Sequence, residues 1–91
     1  MAAIAWLYVP ASKLDTLLSK AAAAADGVVI DLEDAVHPDQ RSMARALVEQ
    51  HLGPLDVPVD IRINPVDSED FEADVALVRR AAARISGVRL T

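Results

Sequence analysis

Four short apolar runs begin near residues 4, 28, 59 and 88, and one helix-patterned segment separates each from the next. That alternation constrains the chain more than any single motif does. The first run, residues 4–9, is apolar throughout and stops at Pro10, which predicts a buried strand. Ser12 followed by Asp15 reads as a capping-box-like helix start, and Leu14, Leu17, Leu18, Ala21, Ala22 and Ala25 keep the rhythm of one helix face. Asp26 and Gly27 end that helix, and residues 28–30 give a second buried strand. Pro38 suits a first helical position, Met43, Leu47, Val48 and Leu52 mark one side of a second helix, and Gly53-Pro54 closes it. A third strand is expected near residues 57–63, with Pro58 at its start. A third helix carries Phe71, Val75, Val78, Ala82 and Ile85, with Ser68 or Asp67 as its cap. A fourth apolar stretch follows Gly87.

The order β-α-β-α-β-α-β predicts an α/β fold with a parallel sheet and right-handed crossovers. Successive strand starts lie 24 to 31 residues apart. A complete (β/α)8 TIM barrel of about 250 residues uses roughly 31 per unit. The chain therefore matches about three and a half βα units, a partial barrel occupying residues 1–91. The same spacing also fits a small open doubly wound sheet.

Composition removes several function classes. A net charge of -5 argues against a sequence-independent nucleic-acid binder and against a polybasic membrane-surface module. The absence of cysteine excludes a disulfide scaffold and a thiolate metal site. The apolar N-terminus lacks a basic region before Pro10, and no apolar run approaches the roughly 18 residues of a membrane span, so a cytoplasmic protein is expected. The three glycines, Gly27, Gly53 and Gly87, lie too far apart for a phosphate-binding loop, and no Ser-His triad can be assembled.

Two places remain for chemistry. Asp31-Leu32-Glu33-Asp34 follows the second strand, at the end of the sheet where parallel α/β folds build their sites. Three carboxylates in four residues suit a hard cation, a substrate cation or acid–base work; they equally suit a solvated turn that caps the next helix. On the third strand Val59, Ile61 and Ile63 share one face, while Asp60, Arg62 and Asn64 share the other. A strand covered on both sides should be apolar throughout, so a polar face points to a barrel mouth or cleft, or to a wet edge with internal charge balance. Arg62 is suited to bidentate capture of a carboxylate or phosphate. Arg41 and Arg45, four apart, read mostly as a solvated face, as do Arg79, Arg80 and Arg84. His37 reads as a helix-entry residue and His51 as a surface or part-buried one.

Residues 7–12 (Leu-Tyr-Val-Pro-Ala-Ser), 20–26 and 29–36 (Val-Ile-Asp-Leu-Glu-Asp-Ala-Val), then Pro38, Ala44-Arg45 and Arg62-Ile63-Asn64, resemble the HpcH/HpaI aldolase/citrate lyase family. The branch of closest resemblance is the citrate lyase beta-subunit-like CoA-ester lyases, and the resemblance runs through the chain in order. It implies a (β/α)8 barrel, usually oligomeric, that uses Mg²⁺ to break or form a carbon–carbon bond next to a thioester or keto acid. Arg62 would hold the substrate carboxylate, and Glu33 and Asp34 would act beside the metal and its waters. The direct metal ligands, and a Lys after the fourth strand, are expected beyond Thr91. Two departures stand out: Ile4-Ala5-Trp6 replaces a usual Arg, and Arg41 replaces a usual Lys.

The resemblance implies a Mg²⁺-dependent carbon–carbon lyase, here as an incomplete fragment, acting on the CoA thioester of a hydroxy acid such as citryl-CoA or malyl-CoA. Its partners would be an acyl-CoA or keto acid, with a homo-oligomer or a full-length homologue completing the assembly. The alternative is a non-catalytic truncated homologue that associates with a full-length lyase subunit. A remnant without a stable product is a third reading.

Overall fold

A computed structural model describes residues 4–90. Residues 1–3 and 91, which belong to the expected 1–91 domain, lie outside the described residues.

The strands are β1 (Trp6–Pro10), β2 (Gly27–Asp31), β3 (Val59–Arg62) and β4 (Gly87–Arg89), and the helices are α1 (Leu14–Ala24), α2 (Arg41–His51) and α3 (Phe71–Ala81). Strand order is β1-β2-β3-β4, and every neighbouring pair is parallel. The expected β-α-β-α-β-α-β sheet is therefore the observed one.

The core lies between the sheet and the helices. Val9, Val28, Ile30, Val59, Ile61 and Ile63 project from the strands into a cluster with Leu14, Leu18, Ala44, Val48 and Leu77. The two-residue strand period sends these side chains to one face and their neighbours to the other. The second face carries Trp6, Tyr8, Val29, Asp31, Asp60, Arg62 and Arg89, and no helix covers it among the described residues.

Several local expectations need correction. The first strand is half exposed rather than buried, with Leu7 at 42% and Tyr8 at 50%. The reason is position: β1 is an edge strand of the described sheet, whereas central β2 is buried along its whole length. Helix α1 is entered through a 3-10 turn, Ala11–Lys13, and neither N-cap makes a side-chain cap bond, so the Ser12–Asp15 box does not form. On α2 the buried side is Ala44 and Val48, with Leu52 just beyond, while Met43 is exposed. On α3 the buried residues are Asp74, Leu77 and Ala81, and the N-cap is Asp70 rather than Ser68 or Asp67. The expected face lies slightly to one side of the real one because Asp74 is polar and yet turns inward.

Two expectations hold in atomic detail. Pro58 directly precedes β3 and still accepts a hydrogen bond from Val28 N–H through its carbonyl. His37 caps the 3-10 turn Pro38–Gln40 that leads into α2, its Nδ1 accepting from Asp39 N–H at 3.3 Å.

Gly27 answers to a close approach rather than to an unusual backbone angle. A Cβ there would stand 2.6 Å from the indole of Trp6, so only glycine lets the ring lie flat on β2.

Candidate active site

The register places Pro10, Asp31, Arg62 and Arg89 in one row at the carboxyl ends of the four strands. Asp31, Arg62 and Arg89 all belong to the uncovered face. Asp31 is 1% exposed, and its carboxylate is fully occupied. Arg62 donates to it through Nε at 3.0 Å and Nη2 at 2.5 Å, while the N–H groups of Glu33 and Ala35 donate at 2.8 and 3.2 Å.

Burial alone would raise the Asp31 carboxyl above its ordinary value. The guanidinium of Arg62 and the two backbone donors outweigh burial and hold it below that value. Arg62 is pushed up in turn, chiefly by its bond to Asp31. Both groups are therefore ionised at neutral pH. A charge pair this sheltered costs desolvation energy, and additional hydrogen bonds of the kind made by Glu33 and Ala35 are what offset it.

The two carboxylates expected to act in catalysis stand near this pair at longer range. Glu33 Oε1 lies 3.9 Å from Arg62 Nε, and Asp34 Oδ2 lies 4.0 Å from Nη2. The Asp34 side chain is 80% exposed. Glu33, Asp34 and Arg62 are thus brought together, with Asp31 between them as the residue that fixes the arginine. Asp31 takes Nε and Nη2, so Nη1 is the part of the fork turned over to a further acceptor. The Tyr8 ring lies beside the guanidinium, 5.2 Å from its carbon to the ring centroid.

The alternative of an internal charge balance on β3 between Arg62 and Asp60 is not what forms. Asp60 accepts instead from Arg89 Nε at 3.0 Å, and Arg89 Nη1 donates to Tyr8 Oη at 3.2 Å. Nor does Asn64 belong to the polar face with Asp60 and Arg62. It is completely buried, with its N–H and Nδ2 donating to Asp74 Oδ2 at 2.9 and 2.7 Å, and Nδ2 also donating to the Leu32 carbonyl at 3.0 Å. Both side-chain partners are acceptors, which fixes the amide with nitrogen toward them and leaves Oδ1 buried without a partner.

Arg41 and Arg45 are a further correction. Rather than dressing a solvated face, Arg45 Nη1 donates at 3.0 Å to both Asp70 and the fully buried Asp74. Arg41 reaches Asp70 at 3.2 Å and the Glu33 carbonyl at 3.5 Å. Desolvation would lower Arg45, but its bonds to the two carboxylates raise it instead. The signal is present in the sequence: two arginines four apart on one helix face two aspartates four apart at the start of the next.

No group of three or more His, Asp or Glu side chains among the described residues gathers to hold a metal ion. Both Asp31 oxygens are committed to Arg62 and the loop amides, so Asp31 is not offered to a magnesium ion, which takes one or two carboxylates and fills most of its six positions with water.

A parallel sheet with its helices on one side and an acid–arginine pair at its strand ends has the arrangement in which (β/α)8 barrels build their sites. The comparisons with known proteins then settle the lineage. The model of the HpcH/HpaI aldolase/citrate lyase family matches residues 5–89, and the chain belongs to that family. A (3S)-malyl-CoA thioesterase of Cereibacter sphaeroides is 38% identical over 80 residues, covering 85% of this chain and 28% of that protein. An L-malyl-CoA/beta-methylmalyl-CoA lyase of the same organism is 33% identical over 88 residues, covering 92% of this chain and 28% of that protein. Among solved structures, protein CitE from Mycobacterium tuberculosis in complex with magnesium and acetate superposes with a TM-score of 0.81 at 36% identity. That match covers 93% of this chain and 34% of the CitE chain. The chain thus spans under a third of the length of the curated relatives it matches.

Proposed function

We propose that the chain is the N-terminal part of a Mg²⁺-dependent carbon–carbon lyase acting on the CoA thioester of a hydroxy acid. The observation that carries this reading is the fixed guanidinium of Arg62. It is anchored at the strand ends by Asp31 and flanked by Glu33 and Asp34, in a chain of this family. In this role Arg62 offers Nη1 to the substrate carboxylate, while Asp31 keeps the arginine from turning away. Glu33 and Asp34 order waters and move protons at the edge of the site. Malyl-CoA is the leading substrate candidate, since curated relatives are named for it; cleavage of its carbon–carbon bond releases a keto acid and the enolate of an acyl-CoA, which then takes up a proton. Magnesium enters this reading as a cofactor held by residues other than those described.

The reading also places the protein in the cytoplasm as an oligomer. No described helix is long and apolar enough to cross a membrane. The test is Arg62→Gln in the protein that carries this segment, assayed for Mg²⁺-dependent cleavage of malyl-CoA. Loss of a hydrogen bond to a charged group, worth about 1.5–3 kcal/mol, should lower kcat/KM by about 10- to 100-fold. A change within twofold would refute the role given to Arg62.

A second reading, a non-catalytic homologue that docks on a full-length lyase subunit, draws support from the sheet edges. Leu7 on β1 and Val88 on β4 are 42% and 40% exposed, and both strands have an open edge in the described sheet. Co-expression with a full-length relative followed by native mass measurement tests it. A mixed oligomer supports docking, and a chain that stays monomeric beside its relative removes it.

A further inference from the structure

The loop that carries Glu33 and Asp34 has no regular structure of its own between β2 and the turn Pro38–Gln40, yet it must stand in register with Arg62. Its first residue, Leu32, donates its N–H to the Arg62 carbonyl at 2.9 Å, and three side-chain tethers hold the rest. Asp31 accepts from the N–H groups of Glu33 and Ala35. Arg41 reaches the Glu33 carbonyl. Asn64 Nδ2 holds the Leu32 carbonyl, and this tether, like that of Arg41 on α2, reaches the helical layer. Asp74 grips Asn64 twice with one carboxylate oxygen, and its other oxygen accepts from Arg45. A chain of hydrogen bonds therefore runs from α2 through α3 and the segment after β3 to the loop: Arg45, Asp74, Asn64, Leu32.

The geometry points to Asn64 as a positioning residue that, held by Asp74 and Arg45, sets where the loop of Glu33 and Asp34 stands relative to Arg62. This goes beyond the roles proposed for Arg62, Glu33 and Asp34, and its functional meaning rests on that reading. Three observations argue for it over simple core packing. Asn64 is polar at a position where the helix-facing strand residues Val59, Ile61 and Ile63 are aliphatic. Its Oδ1 is buried with no partner among the described residues, a cost that an apolar residue would avoid. Asp74 is the single charged residue among the buried positions of α3, and it faces inward to reach Asn64. A buried polar chain of this kind specifies one arrangement more than it stabilises the fold.

The test compares Asn64→Ala with Leu77→Ala in the full chain. Leu77 is fully buried and lies outside the network, so its loss weakens the core without releasing the loop. Two readouts need no turnover: amide hydrogen exchange at Glu33 and Ala35, and the NMR resonance of the Arg62 Nε–H. Asn64→Ala should speed exchange at Glu33 and Ala35 by about tenfold beyond any global change, and should shift the Arg62 resonance. Leu77→Ala should alter exchange uniformly and leave that resonance in place. If Asn64→Ala proves unfolded, Arg45→Lys keeps the charge while breaking the double contact to Asp70 and Asp74. It should give the same local pattern at smaller amplitude. A uniform exchange change with an unmoved Arg62 resonance in the folded variant overturns the positioning role. Loss of turnover in Arg62→Gln, or its absence, bears only on the catalytic reading.

Discussion

The two faces of the sheet are built on opposite principles. The covered face is aliphatic: valine and isoleucine from the strands meet leucine, valine and alanine from the helices, and non-directional burial holds them together. The uncovered face is a lattice of charges and rings, in which Asp31 and Asp60 anchor Arg62 and Arg89 against Trp6 and Tyr8. The first face tolerates exchange among residues of similar volume. The second depends on directed bonds, each with a named partner. Apolar burial is therefore concentrated on one side and paired charge on the other. A parallel strand can serve both because its side chains alternate.

Mutations that separate the two faces should differ in size and kind. The largest effect is expected on the covered face, where Leu77→Ala should cost about 2–5 kcal/mol in denaturant unfolding and leave the Arg62–Asp31 pair intact. Next is Asp31→Asn, which leaves a half-buried guanidinium without its carboxylate and should cost about 2 kcal/mol, less than for a fully buried pair because Arg62 keeps some contact with water. This variant carries a pH signature as well. The folded Asp31 carboxyl lies below its ordinary value of 3.8, so the unfolded chain binds more protons as acid is added. Its contribution is fully present above about pH 4 and disappears as pH falls through the lowered folded value. Asp31→Asn should therefore flatten the acid limb of the stability curve.

A smaller effect, about 1 kcal/mol, is expected of Gly27→Ala, because the added methyl meets the Trp6 ring on the uncovered face. A neutral outcome in thermal unfolding would mean that Trp6 swings aside, and that the aromatic floor of this face is soft. The smallest belongs to the exposed Arg80–Glu49 pair, which bridges α2 and α3 outside both faces. Arg80→Gln should change unfolding by less than about 0.5 kcal/mol, an effect that added salt would erase.

The same division separates what is legible in the sequence from what is not. The succession of strands and helices and the alternation on β3 follow from periodicity, because burial of apolar area repeats with the element's own geometry; the order of strands across the sheet does not. Element ends shift by up to about four residues, as where α3 stops at Ala81 short of Ile85, and Met43 and Leu77 are among the core positions that periodicity misplaces. Directed contacts have no such period. Asp31 is legible only as one acid in a cluster, since its pairing with Arg62 depends on the register of β2 against β3. Asn64 reads as part of the polar face because its number matches that parity. β3 ends at Arg62, and past that point the backbone turns Asn64 inward toward Asp74. Arg45 reads as solvated because its partners lie on another helix, far along the chain.

The central claim is that the uncovered face, through Arg62 and its loop, receives a carboxylate-bearing acyl-CoA. The direct measurement is ¹⁵N NMR of the arginine side chains and the amides of residues 31–36 during titration with malyl-CoA and Mg²⁺, in the protein that carries this segment. The expected result is a saturable shift of Arg62 and of the loop amides, with Val48, Ile61 and Leu77 on the covered face unmoved. Saturable binding that leaves Arg62 in place, or shifts confined to the covered face, would contradict it.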